Sequence, residues 1–237
     1  MAYIFGYPQA NSLRKDIISL GILMAGPLVA AMLVYDSVNG RLWGVLSSVM
    51  VGAGLAGIMI LSYVKLYPRS LQRVFKPQLF ARNILQDRSV IDELSRLEDG
   101  WFVFNDIVLE LFNVEHLLIG NGGVFVLAKV RHPGRLTPRD GFLFAGDEPL
   151  EVLTTKTWRS CHLISILLQK WFKVEHLPQP ILLAEREQIG NCREFDGIKI
   201  MEVGEATRRV AQSPDALDSK TAMALAKFVK ERYAPSK

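Results

Sequence analysis

Among the side chains able to do chemistry, the histidines and cysteines fall out first. His116, His132, His162 and His176 are scattered, and Cys161 and Cys192 lack any metal-binding spacing, so neither set makes a zinc site. Two cysteines are also too few for a disulfide-stapled secreted module, and nothing suggests an oxidising compartment. No Cys, Ser or Asp motif accompanies His116, which reads as a satisfied histidine before it reads as a general base. Gly120-Asn-Gly-Gly123 is too short for a phosphate loop, and a strand-like run rather than a helix follows it. Arg131, Arg135 and Arg139 make a basic loop that suits a phosphate or a partner, with a solvated loop as the simpler reading. Cys161 reads as a small buried hydrophobe, and Trp158 and Trp171 as core or interface area.

The elements that would position such residues follow from periodicity. Asp87 to Leu97 carries Val90, Leu94 and Leu97 at helical spacing, and Glu98-Asp99-Gly100 ends it. Three strand-like runs come next, Trp101 to Leu111, Val114 to Ile119 and Val124 to Val130, with Gly120 to Gly123 as a hairpin turn. A strand near Gly141 to Ala145, a helix from Pro149 to Trp171 and strands at Ile181 to Ala184 and Ile198 to Val203 are expected. A last helix, Pro214 to Tyr233, shows Ala222, Leu225, Ala226 and Val229 on one face. The pattern predicts an α/β or α+β domain with a helix-flanked mixed sheet.

The chain of 237 residues is 49% hydrophobic and only 22% charged. The apolar excess is concentrated in two runs free of charge, Ile17 to Tyr35 and Leu42 to Val64. Each is long enough to cross a hydrocarbon layer of roughly 30 Å as a helix, which takes about 20 residues. Asp36 to Arg41, with its Asn39-Gly40 pair, makes the tight turn of a hairpin. Arg14 and Lys15 precede the first run, and Lys65, Arg69, Arg73 and Lys76 follow the second, so the positive-inside rule puts both termini in the cytoplasm. In the second run Gly44, Ser48, Gly52 and Ala56 recur every fourth residue, a stripe for close packing on the first span or on another membrane subunit. Residues 1–76 hold 7 Lys/Arg against 2 Asp/Glu, whereas 77–237 hold 21 against 22. The positive excess therefore belongs to the anchor and faces anionic headgroups, and the remainder lacks the overall charge of a nucleic-acid binder. The expected organisation is a membrane anchor over 1–76, with transmembrane helices at about 17–35 and 42–64, and a cytoplasmic domain over 77–237.

Within that domain, Asp87-Arg-Ser-Val-Ile-Asp-Glu-Leu-Ser-Arg-Leu97, Asp99-Gly-Trp-Phe-Val-Phe-Asn-Asp-Ile107 and Val114-Glu-His-Leu-Leu-Ile-Gly-Asn-Gly-Gly-Val-Phe-Val-Leu127 resemble the nuclease-related domain (NERD) family. The resemblance runs from about Gln86 to Gly134 and thins out afterwards. It implies a PD-(D/E)xK-like, restriction-endonuclease-like fold, in which carboxylates hold a divalent cation and a lysine helps to polarise the attacking water. Laid on that pattern, Asp87 stands where the family's helix offers a glutamate, with Gln86 replacing a glycine before it. Glu115 stands at the metal-binding aspartate. Ala128 replaces the glutamate of the E-x-K motif and Val130 its lysine, while a family-like Pro-x-x-Gln falls at Pro149-Leu-Glu-Val152 without its glutamine. Lys129 is one position out, and strand alternation sends it to the opposite face from 128 and 130.

The resemblance thus implies a degenerate site. Asp87 and Glu115 alone would give magnesium a weak site completed by water, so no cofactor is expected, with Mg2+ as the alternative. Glu115 beside apolar Ala128 and Val130 should be protonated or hydrogen-bonded, or else a partly exposed strand residue with a neighbour to pair with. The expected function is that of a pseudoenzyme: a multi-pass protein of the bacterial inner membrane whose cytoplasmic nuclease-like domain docks or assembles other membrane-protein subunits. A subunit of a secretion or DNA-transfer machine is one form of this. The alternative is a membrane-tethered, metal-dependent endonuclease using Asp87 and Glu115 with Lys129 brought round by a bulge.

The topology predicts that cysteines placed at Ser37 and Ser236 label from opposite sides of the membrane. Equal labelling of both from outside contradicts it.

Overall fold

The computed structural model describes residues 2–6, 77–110 and 112–233, together with Met50, Gly54 and Gly57. The proposed span at 17–35, that at 42–64 apart from Met50, Gly54 and Gly57, and the stripe Gly44, Ser48, Gly52 and Ala56 lie outside the described residues. Among those described, no helix is long and apolar enough to cross a membrane. The chain forms two units, Met1–Pro8 with Gln86–Lys237, and Gln9–Leu85. Of the second, only the three isolated helical positions and the start of helix α1 (Pro77–Leu94) are described.

The first unit is a mixed α/β fold. Strands β1 (Tyr3–Phe5), β2 (Phe102–Leu109), β3 (Phe112–Gly120), β4 (Gly123–Lys129), β8 (Gln179–Leu183), β9 (Glu194–Phe195) and β10 (Ile198–Met201) make one seven-stranded sheet. Their order is β1-β2-β3-β4-β8-β10-β9. The β2–β3–β4 meander is antiparallel, β1 joins β2, β8 joins β4 and β10 joins β8 in parallel, and β9 closes the sheet antiparallel to β10. A small antiparallel sheet of β5 (Leu136–Arg139), β6 (Phe142–Ala145) and β7 (Glu148–Pro149) stands apart from it.

Alternation along the strands sorts the core into two layers. Val124 and Val126 of β4 turn toward helices α2 (Glu151–Leu167) and α5 (Ser219–Tyr233), meeting Cys161, Ile164, Leu225 and Val229. Phe125 and Leu127 turn the other way, toward Val90 and Leu94 of α1 and Val210 of helix α4 (Val203–Ala211). A third cluster joins Ala128 and Val130, with Leu182 of β8, to Leu136 and Leu143 of the small sheet. Helices on both faces of a mixed sheet are the arrangement expected from the pattern.

Several boundaries differ from the sequence reading. Val203 opens α4 instead of closing a strand, because Glu202 already accepts the amide of Ala206 at its carbonyl. The last helix starts at Ser219, since Asp218 accepts the Thr221 amide at 2.9 Å and caps it, while Ala216 and Leu217 donate to the Asn121 carbonyl. Helix α1 begins before Asp87, which therefore sits inside it. The short elements β1, β5, β7, β9 and helix α3 (Arg186–Ile189) carry too little periodicity to be read.

Strand β1 matters most, because it comes from before the proposed spans. It aligns Tyr3, Ile4 and Phe5 with Phe102, Val103 and Phe104 of β2. Tyr3 stacks on Phe102 at 5.3 Å and Phe5 on Phe104 at 4.9 Å. Asn105 Nδ2 then donates to the carbonyl of Gly6 at 3.0 Å. Gly6 needs to be glycine twice over: its φ is +80°, and a Cβ would lie 2.4 Å from the Asn105 carbonyl oxygen. Gly6→Ala is expected to loosen β1 and cost about 1–3 kcal/mol of stability in denaturant unfolding. An unchanged midpoint would show that β1 adds nothing to the fold.

Candidate functional site

The carboxylates singled out by sequence meet where β3 splays from β4. The β3–β4 ladder ends at His116–Leu127, leaving the next β4 amide, that of Lys129, without a strand partner. The Glu115 side chain takes its place, with Oε2 accepting from the Lys129 amide at 2.9 Å. A local irregularity brings it there. The β2–β3 register omits the step between Asp106, at φ +54°, and Glu115. Phe104 and Ile107, three residues apart, both enter the α2/α5 core, as do Val114 and Leu117. Strict alternation would give these pairs opposite faces; the kink between them turns the Glu115 carboxylate toward α1, where Asp87 lies.

Arg131 closes the group. One guanidinium nitrogen lies 3.2 Å from Asp87 Oδ1 and 3.2 Å from Glu115 Oε1, and Nε lies 3.4 Å from the same Glu115 oxygen. Arg131 thus ties α1 to β3 from the loop after β4. The three side chains are 28%, 23% and 13% exposed for Arg131, Asp87 and Glu115, so solvent screens them only in part.

The two carboxylates respond differently to the shared cation. Burial raises the Glu115 carboxyl, but Arg131 and the Lys129 amide outweigh it and hold Glu115 below its usual range. For Asp87 burial wins over the pull of Arg131, and its carboxyl is raised, since it has no backbone donor. Arg131 itself stays charged.

Lys129 shares the face of Phe125 and Leu127, with Asp87, Glu185 and Glu115 raising its proton affinity against a stronger burial effect. Its ammonium forms no ion pair among the described residues. Ala128 and Val130, which stand at the E-x-K positions of the resemblance, point away into the third apolar cluster. Alternation thus holds along β4: Lys129 and Arg131 share the side of Asp87 and Glu115, and the E-x-K positions face away from it. Ala128 offers no ligand, and Arg131 already spans the two carboxylates, so these residues do not fit a magnesium ion. Among the described residues, no group of three or more His, Cys, Asp or Glu is placed to hold a metal.

The basic loop does not act as a unit. Arg131 turns inward, Arg135 lies over Gly190, and Arg139 sits on β5 beside Phe144, 3.9 Å from Asp147. The loop is fastened by Gln188 Nε2, which donates to the His132 carbonyl at 2.8 Å, and Gln86 Nε2 donates to Glu185 at 3.3 Å. Arg131 was grouped by sequence with the loop; its position two residues after Lys129 was the available signal that it shares that face.

Behind Glu115, His116 is buried, its Nδ1 2.7 Å from Asn105 Oδ1. The Asn105 amide group already donates to Gly6, so its oxygen accepts and His116 carries the proton on Nδ1. Burial, against the opposing charge of Glu115, pushes His116 down to about 4. It is a neutral core histidine that pins β1 through Asn105. Cys161 is fully buried, with its thiol pushed up to about 12, and is inert. Trp158 donates to the Asp196 carbonyl at 3.0 Å, whereas Trp171 is 55% exposed.

No known protein family, curated protein or solved structure matches the chain.

Two outcomes are expected. Arg131→Met should cost about 1–3 kcal/mol by stranding two carboxylates, and adding Glu115→Gln should recover most of it. Failure of the second change to restore stability would mean that Arg131 acts by packing alone. Because His116 is depressed in the fold, the unfolded chain binds more protons between pH 6.5 and about 4. Stability from this group is full above pH 6.5 and is lost as pH falls through that window, by about 3 kcal/mol in all. Denaturant unfolding of wild type and His116→Gln across this range checks it; the same slope in both proteins contradicts it.

Proposed function

We propose that this protein is a membrane-anchored, non-catalytic docking or assembly module built on a degenerate nuclease-like domain. The observation that carries this reading is the Arg131 guanidinium spanning Asp87 and Glu115. A nuclease of the PD-(D/E)xK type needs those carboxylates free for a divalent cation, and here a permanent side-chain cation satisfies them. The likeness to the NERD family rests on the motif from Gln86 to Gly134, and a restriction-endonuclease-like sheet is part of the proposal.

The anchor is a transmembrane helical hairpin, 17–35 and 42–64, in the inner membrane, with both termini on the cytoplasmic side. The pairing of β1 with β2 supports the even number of crossings, since residues before the first run and after the second share one sheet. Partners are other membrane-protein subunits, reached through the domain or through the small-residue stripe, in a machine such as a secretion or DNA-transfer apparatus. Lys129, lying on the face of Asp87 and Glu115, is what favours the alternative of a magnesium-dependent endonuclease. That alternative requires the metal to displace a guanidinium from both carboxylates.

The test is a cleavage assay with plasmid and single-stranded DNA, magnesium or manganese, and the full chain in mild detergent, because a fragment starting at 77 lacks β1. No metal-dependent nicking above a Glu115→Ala control is expected. Nicking that the control abolishes overturns the proposal.

A further inference from the structure

The far end of α2 carries an aromatic and basic patch that the Arg131 site does not use. Helix α2 runs into a π-helical turn, Leu168–Phe172, closed by Lys173 in the left-handed conformation at φ +58°. Near this end Ile166 and Trp171 are 58% and 55% exposed. Such side chains call for a reason only where they belong to a contiguous patch.

The patch continues across α5 to the N-terminal strand. Trp171 lies 6.1 Å from Phe228, which lies 6.1 Å from Tyr233. Cations edge this aromatic path: Lys170 stands 5.6 Å over Trp171, Arg232 5.9 Å from Phe228, and Lys230 5.0 Å over Phe5 of β1. Glu110 accepts from Arg232 and from the Tyr233 hydroxyl, whereas Lys170 and Lys230 make no ion pair among the described residues. An exposed Trp with a lysine over its ring, on a path of aromatic side chains edged by cations, matches the headgroup layer of a bilayer, where amphipathic rings and basic side chains gather.

The sequence says what covers it. The patch ends on β1, and only residues 7–16 separate Gly6 from the first apolar run at Ile17, at most roughly 36 Å of extended chain. Arg14 and Lys15 lie in that link. We infer that the surface formed by Trp171, Phe228 and the flanking Lys170 and Lys230 docks on the anionic cytoplasmic leaflet. This rests on reading 17–35 and 42–64 as membrane spans.

The experiment uses the full chain in nanodiscs of phosphatidylcholine, with and without phosphatidylglycerol, whose shallow acyl positions are brominated to quench tryptophan. The chain has four tryptophans, of which Trp101 is buried and Trp158 partly so, leaving Trp43 and Trp171 to report. Trp171→Phe should remove part of the quenching. The part it removes should shrink about twofold or more without phosphatidylglycerol, and equally in a Lys170→Glu, Lys230→Glu variant. If Trp43→Phe lowers quenching and Trp171→Phe does not, the spans stand and the docking surface falls. If neither does, both fall. A blue-shifted but unquenched Trp171 means that protein covers the patch, and also overturns the inference.

Discussion

A guanidinium held between two carboxylates organises the end of the sheet where α1, β3 and the chain after β4 meet. Asp87 belongs to α1, Glu115 to β3, and Arg131 follows β4, so one side chain joins a helix to the two strands it packs against. Part-burial sets the terms. Glu115 without a partner would pay to be charged there, and Asp87 beside it would add like-charge repulsion. Arg131 offsets the burial of Glu115 together with the Lys129 amide, which supplies the hydrogen bond that a carboxylate at the end of a ladder needs. It opposes without cancelling the burial and like-charge effects on Asp87. The group is thus closed by its own members. Such closure gives the group a structural role, fastening α1 to β3 and to the chain after β4.

The helix-flanked mixed sheet was legible in the sequence because long, clean periods carry it. Strands β2, β3 and β4 fall on the runs at 101–111, 114–119 and 124–130, and the four apolar residues from Ala222 to Val229 share one core face. Of the elements of two to four residues, β6 and β10 were legible as apolar runs, whereas β1, β5, β7, β9 and α3 were not, because so short a stretch has little measurable period. Strand β1 shows the cost: Tyr3 to Phe5 precedes a charge-free run, and nothing local ties it to Phe102, a hundred residues on.

The site was legible in its members and illegible in its arrangement. Asp87 and Glu115 were singled out by the resemblance, and alternation correctly separates Lys129 from Ala128 and Val130. What alternation misses is the kink at Asp106 and Glu115, where both strands shift face together. A positive φ at an aspartate leaves little trace in sequence, since Asp and Asn adopt it in turns of many kinds. Arg131 was hidden for another reason. Its neighbours His132, Pro133 and Gly134 mark it as a loop residue, and the tertiary partner that draws it inward lies on α1, far off in sequence. The same tertiary logic makes His116 a neutral link to β1 and not a base, because Asn105 directs its Nδ1 proton.

Titration of free manganese by electron paramagnetic resonance, with the full chain in detergent, tests most directly whether Arg131 has taken the place of a metal. The free Mn2+ signal should fall no further with wild type than with an Asp87→Asn, Glu115→Gln variant. A stoichiometric loss of signal in wild type that disappears in the variant would show the carboxylates open to a metal and contradict the closed site.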